Sequence, residues 1–466
     1  MAGLLRHGLR AASPFSWPTP GLKAVRHRCG PIRPAPPVPA RASSSQTPGP
    51  IPAHPPASSA QIRVQERDYP TDDWTNLTPQ ILARLDRRLH LQAGHPLSLI
   101  RRRIVRYMYD KFPNYRGHPL FSVHDRLSPV VTLAQNYDAL LVPPQHPSRK
   151  PSDSYYINRT WMLRAHTSAH QIELIQMGLD NFLVVGDVYR RDAIDASHYP
   201  VFHQVEGVRL LDAAGVNARW AGSLRDTPIQ LFEAGTEKPH KQAGHTVDAT
   251  QLLEWELKDC LLGLIRDLFG SDLQYRWVDA YFPFTHPSWE LEIQYQGQWM
   301  EMLGCGIMRQ ELLHQGGVPE KIGWAFGLGL ERLAMKLYEI PDIRIFWSQD
   351  SGFLSQFQTD DIDQVIKYKA VSKYPQCIND ISFWLPQEGS EYSSNDFFDL
   401  VRSIGGDLVE QVVLVDSFYH EKKQKHSHCY RIVYRSTEKT LTQEEANEIH
   451  KHIENQATSR LKVQIR

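Results

Sequence analysis

The chain has 466 residues, 41% of them hydrophobic and 22% charged, which is ordinary for a globular protein of two or three domains. Its formal charge is zero, but residues 1–65 carry eight Lys or Arg and no acid, which leaves 44 basic against 52 acidic residues in the remainder. Any nucleic-acid contact must therefore come from local basic patches. Five scattered cysteines without a CxxC or Cys/His cluster argue against a zinc site and a disulfide framework. No apolar run approaches the roughly 20 residues needed to cross a bilayer.

The amino-terminal segment 1–65 is acid-free and contains Arg and Ser, a composition that predicts a mitochondrial presequence cleaved before Asp68. Pro occupies 13 of the first 60 positions, which excludes one long helix. The alternative is a disordered tail without a targeting role.

Two helices are predicted next. TPQILARLDRRLHLQ (78–92) begins with a Thr cap and a Pro at the first helical position, and HPLSLIRRRIVRYMYDKF (95–112) again opens on Pro. The Arg101–Arg103 run in the second helix is interpreted as a solvated face, with a nucleic-acid patch as the alternative. The predicted apolar stripe of this helix is Ile100, Ile104 and Met108.

Helix and strand patterns alternate from 158 to 212, and 250–270 predicts a capped amphipathic helix closed by Gly270. Three strand candidates follow, RWVDAYFPFT, WELEIQYQ and QWMEMLGCG, the last two joined at a turn near Gly297. This region therefore predicts an α+β domain with an antiparallel sheet.

The pattern resets past Lys373. PQCINDISFWL, NDFFDLVRSIGG, VEQVVLVDSFY, HCYRIVYR, TQEEANEIHKHIENQA and RLKVQI read as strand, helix, strand, strand, helix and strand. This βαββαβ order predicts a separate ferredoxin-like domain, with a capping box at Thr442 and Glu445. The predicted division is thus 1–65 (presequence and disordered Pro-rich segment), 66–345 (main domain), 346–372 (open linker) and 373–466 (ferredoxin-like domain).

The stretch VVGDVYRRDAIDASHYPVFHQVEG (184–207) predicts a hairpin around a polar loop. The two-residue period of its second strand places Phe202, Gln204 and Glu206 on one face. Arg190 and Arg191 end the first strand. A strand that presents an amide and a carboxylate suits the binding of a cation, although an ordinary edge strand would look the same.

A further arginine, Arg332, follows a glycine-rich entry to a helix in AFGLGLERLAM (325–335). Arginine offers a planar, permanently charged fork for phosphate oxygens, so Arg190 and Arg332 together predict a bent nucleotide. Glu301 is the leading candidate to hold Mg²⁺. The alternative for Arg332 is a structural ion pair. For Phe282 and Phe284, which alternate around Pro283, the alternative to a substrate pocket is packing in the core.

Arg190, on a strand before a variable loop, resembles motif 2 of the class II aminoacyl-tRNA synthetases, and the GLGLER helix resembles their motif 3. HPLSLIRRRI, NYDALLVPPQHPSR, LRAHTSAHQ, HYPVFHQVEG, AYFPFTHPS and WAFGLGLERL resemble, in the same order, segments of the catalytic chain of phenylalanyl-tRNA synthetases. They span roughly residues 95 to 345. The carboxy-terminal unit resembles the ferredoxin-fold anticodon-binding domain of the single-chain mitochondrial form. The resemblance implies a class II catalytic domain over 66–345 and an anticodon-binding domain over 373–466.

The resemblance also implies roles for individual residues. Arg190 binds the α-phosphate of ATP and Arg332 the γ-phosphate, while Gln204 and Glu206 receive the ammonium group of phenylalanine. Phe282 and Phe284 pack on its ring, Ala325 lies at the far edge of the ring, and Phe326 lies at the adenine. The implied catalytic residues are Arg190, Arg332 and His198. The residues implied to contact substrate are His166, Ser168, Ala169, His170, Gln171, Arg190, Ser197, His198, Tyr199, Gln204, Val205, Glu206, Phe282, Phe284, Glu301, Ala325 and Phe326.

One position departs from the family pattern. His286 stands where the bacterial chain has an acid linked to metal, so the metal ligands stay open beyond Glu301.

The implied activity is the ATP- and Mg²⁺-dependent attachment of L-phenylalanine to mitochondrial tRNA(Phe) through phenylalanyl-adenylate, by a monomer in the mitochondrial matrix. Two rivals are a class II ligase for another amino acid and a non-catalytic tRNA-binding paralogue. FPFT and VFHQVEG argue against the first, and the retained Arg190 and Arg332 argue against the second. No region is long enough for an editing domain, so weak correction of mischarged tyrosine is expected.

The last domain is expected to contact tRNA and, on its open linker, to swing towards the anticodon. The Lys-rich EKKQK loop is expected to contact tRNA, and the alternative interpretation is a solvated turn without a role in binding. The candidate RNA-contacting residues are Phe418, Tyr419, Lys422, Lys423, Lys425, Arg431 and Arg435.

Overall fold

The computed structural model describes residues 60–220, 228–370, 374–386, 392–436 and 438–466. The predicted presequence lies outside the described residues up to position 59. Residues 60–65, which the sequence assigned to the disordered segment, are instead folded: Gln61–Val64 pairs antiparallel with Arg67–Pro70. This hairpin forms because Val64 and Tyr69 are buried in the main core.

The chain forms 15 strands and 11 α-helices within the described residues. The strands of the main domain are β1 (Gln61–Val64), β2 (Arg67–Pro70), β3 (Ser122–His124), β4 (Val130–Thr132), β5 (Trp161–Leu163), β6 (Asn181–Tyr189), β7 (Val201–Leu211), β8 (Tyr275–Phe282), β9 (Thr285–Tyr295), β10 (Gln298–Met308) and β11 (Ile322–Gly329). Its helices are α1 (Pro79–Leu82), α2 (Pro96–Lys111), α3 (Leu133–Asn136), α4 (Gln171–Gln176), α5 (Ala213–Trp220), α6 (Val247–Phe269), α7 (Gln310–Gln315), α8 (Leu330–Leu337) and α9 (Ser351–Leu354). The carboxy-terminal domain contains β12 (Cys377–Trp384), α10 (Ser394–Gly405), β13 (Val409–His420), β14 (Lys425–Tyr434), α11 (Gln443–Arg460) and β15 (Gln464–Ile465).

The main sheet has seven strands in the order β3-β6-β7-β11-β10-β9-β8. Every pairing is antiparallel except that of β3 with β6, so the predicted antiparallel sheet is confirmed. The predicted turn between β9 and β10 is formed by Gln296 and Gly297, both at positive φ. β7 lies inside the sheet, so its Gln204 and Glu206 do not belong to an edge strand.

Both faces of the central strands are covered. On one face α2, α6 and α8 pack over Leu183, Val205 and Leu328. On the other face Phe182 and Val208 join a second core with α4 and α7. Because the centre of the sheet is largely covered on both sides, a buried polar side chain on β7 needs hydrogen-bond partners within the protein.

Three local predictions need correction. The predicted helix 78–92 is the single turn α1, because Asp86 and Arg88 take positive φ and lead the chain out of the helix. α6 begins at Val247 with Thr246 as its cap, three residues before the predicted start, and ends at Gly270 as predicted. The solvated-face interpretation of Arg101–Arg103 is wrong for Arg101 and Arg103, which are largely buried and paired with acids.

The carboxy-terminal domain has the predicted βαββαβ order, with its sheet ordered β13-β14-β12-β15 and entirely antiparallel. The predicted capping box of Thr442 and Glu445 is present at the start of α11. A core of its own fills the space between the sheet and its two helices.

The predicted open linker is wrong for the described residues up to 370. Phe346, Trp347, Phe353 and Phe357 are buried in the main core, each at most 5% exposed. Burying four aromatic side chains removes a large apolar area from water, so this segment is fixed to the main domain. None of the described helices is long and apolar enough to cross a membrane.

Candidate active site

An apolar pocket opens on the face of the main sheet that carries Glu206. Its empty volume is about 320 Å³, part of it open to solvent. Phe282 and Phe284 stack with ring centroids 6.1 Å apart and planes at 19°. The lining residues are Ser168, Gln171, Glu206, Phe282, Phe284, Thr285, Gly304, Cys305, Ala325, Phe326 and Gly327.

Glycine at two strand positions makes room for aromatic rings: Gly304 lines this pocket, and Gly207 lies on the opposite face of β7, towards the main core. A Cβ on Gly207 would overlap the ring of Phe326, and a Cβ on Gly304 would come within 2.7 Å of the ring of Phe282. The backbone can therefore carry these aromatic rings only because neither residue has a side chain.

Glu206 brings a carboxylate to this apolar pocket. It is 3% exposed and accepts hydrogen bonds from the Ser168 hydroxyl, the Gln171 amide and, at 3.2 Å, the Thr167 hydroxyl. Burial raises the pKa of Glu206 to about 7, and the three hydrogen bonds oppose that rise. The segment 167–171 and β7 thus hold one titratable group at the pocket, where a ligand cation would favour its ionised form.

Gln204 lies beside Glu206 on the same face of β7. Its Oε1 accepts from the Thr167 backbone N–H at 3.3 Å, while its buried Nε2 has no hydrogen-bond partner. The predicted carbonyl acceptor is therefore already used by the protein. The two ends of this amide are assigned from the hydrogen bonds around them.

A second pocket, with an empty volume of about 520 Å³, lies beside the β6–β7 loop, which we define as residues 190–200. Its lining combines loop residues, the helix α8 and part of β10. These residues are Asp192, Ser197, His198, Tyr199, Phe202, Met302, Gly329, Glu331, Arg332 and Ile343.

His198 is held at this pocket by Asp195. The Asp195 carboxylate lies 2.7 Å from the Nδ1 of His198 and accepts the backbone N–H groups of Ser197 and His198. The hydrogen bond to Asp195 raises the pKa of His198, so the ring keeps its positive charge to a higher pH than an isolated histidine.

Arg190 lies at the start of the loop. Its Nε donates to the Ala165 carbonyl at 2.7 Å, and its guanidinium lies 5.2 Å from the ring centroid of Phe202. Desolvation lowers the pKa of Arg190 to about 10, an effect opposed by Asp192 and Glu301 and increased by Arg332. The group remains a cation at neutral pH, and it lies close enough to Glu301 and Arg332 for their charges to affect it.

Glu301 and Arg332 meet at the edge of the second pocket. Nη1 of Arg332 donates to the Glu301 carbonyl at 2.9 Å and lies 3.6 Å from its Oε2. Both carboxylate oxygens of Glu301 are buried without a hydrogen-bond partner, and burial raises the pKa of this group to about 7, with Glu290 adding to the rise.

These two oxygens fit a Mg²⁺ ion that takes most of its ligands from phosphates and water. A site built by the protein alone is absent, because no group of three or more His, Cys, Asp or Glu in the described ranges could hold a metal ion. His286, the departure noted in the sequence, lies with its Nε2 2.7 Å from the Lys238 carbonyl.

Comparison with known proteins gives the same two-domain division. Residues 94–238 and 240–357 match the family described as tRNA synthetases class II core domain (F), and residues 372–466 match the ferredoxin-fold anticodon binding domain. A probable mitochondrial phenylalanine–tRNA ligase of Drosophila melanogaster is 55% identical over 89% of this chain and 94% of its own length. The mitochondrial phenylalanine–tRNA ligase of Mus musculus is 53% identical over 88% and 89%, and that of Saccharomyces cerevisiae (strain ATCC 204508 / S288c) is 37% identical over 87% and 95%. The chain belongs to the mitochondrial phenylalanine–tRNA ligases.

Several residues that the sequence assigned to substrate in this phenylalanine–tRNA ligase do not line either pocket. Val205 lies on the opposite face of β7, in the main core, and Ala169 lies in the second core. The Nε2 of His170 accepts a hydrogen bond from Arg164 at 2.9 Å, and burial lowers the pKa of His170 to about 3.

His166 and Phe326 also differ from their expected places. His166 is buried 6.3 Å from the ring of Phe284, and burial lowers its pKa to about 3, so the ring is neutral. Phe326 lines the apolar pocket and is absent from the lining of the second pocket, where the adenine end was expected. It is pulled into the main core because it packs on Trp324 and over Gly207.

The structure adds residues that the sequence analysis of this phenylalanine–tRNA ligase did not assign. Phe202 and Met302 give the second pocket an apolar wall, and Thr285 and Cys305 line the first. The sequence could have indicated Phe202 as a pocket residue, since the two-residue period of β7 places it on the same face as Gln204 and Glu206. The sequence contained no such indication for Met302, Thr285 and Cys305, because their positions depend on pairing between distant strands.

A buried pair, His203 and Glu331, connects strand β7 with helix α8. Glu331, next to Arg332, accepts the backbone N–H of His203 at 2.8 Å and lies 2.7 Å from its Nδ1. This pair fixes the start of α8, and therefore Arg332, against β7.

Proposed function

We propose that the chain activates L-phenylalanine with ATP and transfers it to tRNA(Phe), and that the two pockets are the amino-acid and nucleotide halves of one active site. The observation that carries the proposal is the buried carboxylate of Glu206 at an aromatic pocket, beside a second pocket that holds basic side chains. A cationic amine with an aromatic side chain fits the first, and a polyphosphate fits the second.

In the amino-acid half, the ring of phenylalanine lies among Phe282, Phe284 and Ala325, and its ammonium group binds Glu206. The amine replaces or joins the hydrogen bonds from Ser168 and Gln171, which now hold the carboxylate. Binding of the cation favours the ionised carboxylate, which offsets the cost of keeping a charge in this buried position.

In the nucleotide half, Arg190 binds the α-phosphate, Arg332 the γ-phosphate, and His198 adds a third positive group. Phe202 offers its face to the adenine. Glu301 would hold Mg²⁺ together with the phosphates, and the ion would neutralise the charge of pyrophosphate as it leaves.

In the first step, the carboxylate of phenylalanine attacks the α-phosphorus of ATP and pyrophosphate leaves. No side-chain nucleophile is needed. The protein contributes position and charge: Glu206 fixes the amine, which orients the carboxylate, and Arg190 stabilises the negative charge that develops on the α-phosphoryl oxygens.

In the second step, the 2′-hydroxyl of the terminal ribose of tRNA attacks the activated carbonyl and AMP leaves. The carboxy-terminal domain supplies the second contact with tRNA, at the anticodon. We expect it to move on tRNA binding, and small-angle scattering with and without tRNA tests this, because unchanged dimensions would contradict it. The proposal includes a monomer that works in the mitochondrial matrix.

Exclusion of tyrosine rests on the size of the apolar pocket. An apolar site rejects an added hydroxyl by only about a hundredfold. With no editing domain predicted, slow deacylation of tyrosyl-tRNA is expected, and rapid deacylation by the purified enzyme would contradict this part of the proposal.

The test of the proposed function is pyrophosphate exchange with each of the twenty amino acids. Exchange with phenylalanine alone supports the proposal. Exchange with a different amino acid favours another class II ligase, and no exchange with any amino acid favours a tRNA-binding paralogue.

A further inference from the structure

The β6–β7 loop, residues 190–200, lines the second pocket but has few hydrogen bonds of its own. Its ends are joined by the Arg190 N–H and the Pro200 carbonyl at 3.0 Å, and its tip is turned by Asp195. Apart from the Ala193 N–H, which donates to the Asp192 carboxylate at 2.8 Å, the remaining backbone contacts of the loop go to other parts of the protein. Its position therefore depends on the surfaces against which it packs.

One of these surfaces is the carboxy-terminal domain. The guanidinium of Arg191 lies 2.9 Å from the Asp396 carboxylate and 3.4 Å from that of Asp399. Arg402 donates to the carbonyls of Asp192 and Ala193, both at 3.1 Å. Both contacts act on the stretch that precedes the pocket-lining Ser197 and His198.

The loop also inserts an apolar anchor into that domain. Ile194 is 5% exposed and belongs to the core of the carboxy-terminal domain, together with Phe397 and Val412. The Val412 N–H donates to the Ile194 carbonyl at 2.9 Å. An isoleucine at the tip of a polar loop would otherwise be exposed, so its burial links the loop to the core of the second domain.

The far end of the loop is fixed in the same way. The Tyr199 hydroxyl donates to Asp407 at 2.7 Å, and the Tyr199 ring stacks on Trp347 at 5.5 Å between centroids. Trp347 in turn lies 6.1 Å from His203, the partner of Glu331. The carboxy-terminal domain thus contacts the loop on both sides of Ser197 and His198, at Asp192 and at Tyr199.

We propose that the carboxy-terminal domain is part of the activation site, in that its docked position holds the β6–β7 loop where Arg190 and His198 can bind ATP. Asp396, Asp399 and Arg402 are positioning residues, since they act through the loop and line neither pocket. The inference rests on the proposed function, because it assigns the loop to ATP. It gives the second domain a role in the first step, before any tRNA is present.

The test is pyrophosphate exchange by the full two-domain chain without tRNA. Asp396→Asn combined with Arg402→Gln removes two contacts with the loop from the side of the carboxy-terminal domain. We expect the KM for ATP to rise by about tenfold, because a displaced loop weakens phosphate binding, while the KM for phenylalanine stays within about twofold. Ile194→Ala, which removes the anchor from the other side, should shift the same parameter in the same direction.

The matched control is Asp380→Asn combined with Arg460→Gln, which makes the same changes in the same domain away from the loop: Asp380 pairs with Arg431, and Arg460 lies in the last turn of α11. It should behave as the unmodified chain. A second readout needs no activity: hydrogen exchange of residues 190–200 should become faster in Asp396→Asn/Arg402→Gln and stay unchanged in the control.

The outcomes separate the two proposals. An unmodified chain without phenylalanine-dependent exchange overturns the proposed function, and hydrogen exchange then still decides whether the domain orders the loop. Unchanged loop exchange, or faster loop exchange with an unchanged KM for ATP, overturns the inference. An equal rise of both KM values also overturns it, because that pattern indicates general destabilisation.

Discussion

The two pockets differ in how their charged groups are held. Glu206 in the apolar pocket has three hydrogen-bond donors from one short segment beside its own strand. In the second pocket, Arg332 comes from a helix and His198 from a loop. Glu301, on a strand, contacts Arg332 at the edge of this pocket, and its carboxylate has no hydrogen-bond partner.

This difference indicates that the apolar pocket, the proposed amino-acid half, is formed before its ligand arrives, whereas the second pocket, the proposed nucleotide half, is completed by it. A site whose one charged group already has its hydrogen-bond donors gives specificity at little cost of ordering. A site with unsatisfied charges binds weakly until phosphates and a cation join it. Substitutions should therefore separate the two halves cleanly.

The largest effect is expected for Arg190→Gln or Arg332→Gln. Loss of one charged donor, to the α-phosphate for Arg190 or to the departing γ-phosphate for Arg332, should lower phenylalanine-dependent pyrophosphate exchange by about 10³-fold. Phenylalanine binding measured by calorimetry should be unchanged, because neither arginine lines the apolar pocket. Arg159→Gln, at an exposed arginine paired with Asp73, serves as the control. Full activity in both variants would contradict the two-arginine site.

Glu206→Gln should have the next largest effect, on the opposite half. Loss of the buried carboxylate should raise the Kd for phenylalanine by about 10²-fold, since the ammonium loses its charged partner. The KM for ATP should change little. 3-Phenylpropionate, which lacks the amine, should bind the variant and the unmodified chain equally, and a parallel loss for this ligand would point to collapse of the pocket.

The pH dependence of phenylalanine binding is the third test. The pKa of Glu206 in the empty pocket is about 7, so the carboxyl is largely protonated below that value and ionised above it. Because the ammonium group requires the ionised form, affinity should rise about tenfold from about pH 6 to about pH 8. Binding is measured without ATP and Mg²⁺, which excludes Glu301. The Glu206→Gln variant should show a flat profile, and an equal slope in both would assign the titration elsewhere.

The smallest effect is expected for Ala325→Gly. Removing one methyl group from the wall of the apolar pocket should make room for a ring hydroxyl and reduce discrimination against tyrosine by about tenfold. The ratio of kcat/KM for phenylalanine and tyrosine in pyrophosphate exchange measures this. An unchanged ratio with an unchanged KM for ATP would show that Ala325 does not set the limit.

Much of the fold could be predicted because its signals are local. The apolar stripe of α2, the closing Gly270 and the Thr442–Glu445 capping box each depend on residues within a few positions of one another. Val205 is an instructive error. The two-residue period of β7 already places Val205 on the face opposite Gln204 and Glu206, so the sequence contained the reason to exclude it from the substrate-contacting residues.

The remaining features depend on contacts between distant parts of the chain. The segment after 346 was predicted to be an open linker because its aromatic residues are scattered along the sequence. Their burial in the main core, beside α2 and α8, depends on the folded structure. Ile194 could not be assigned to the core of a domain that begins some 180 residues later. Phe326 was expected at the adenine, but the strand opposite it has a glycine that receives its ring.

Gly207 has a consequence for the evolution and redesign of this molecule. The position lies on the core side of β7, yet a single added methyl group there would overlap the ring of Phe326 and displace it from its place beside Trp324. Such a residue would go unnoticed in any survey of ligand contacts. Saturation mutagenesis should nevertheless find it among the least tolerant sites, and attempts to admit bulkier amino acids should start from the aromatic walls and leave this strand intact.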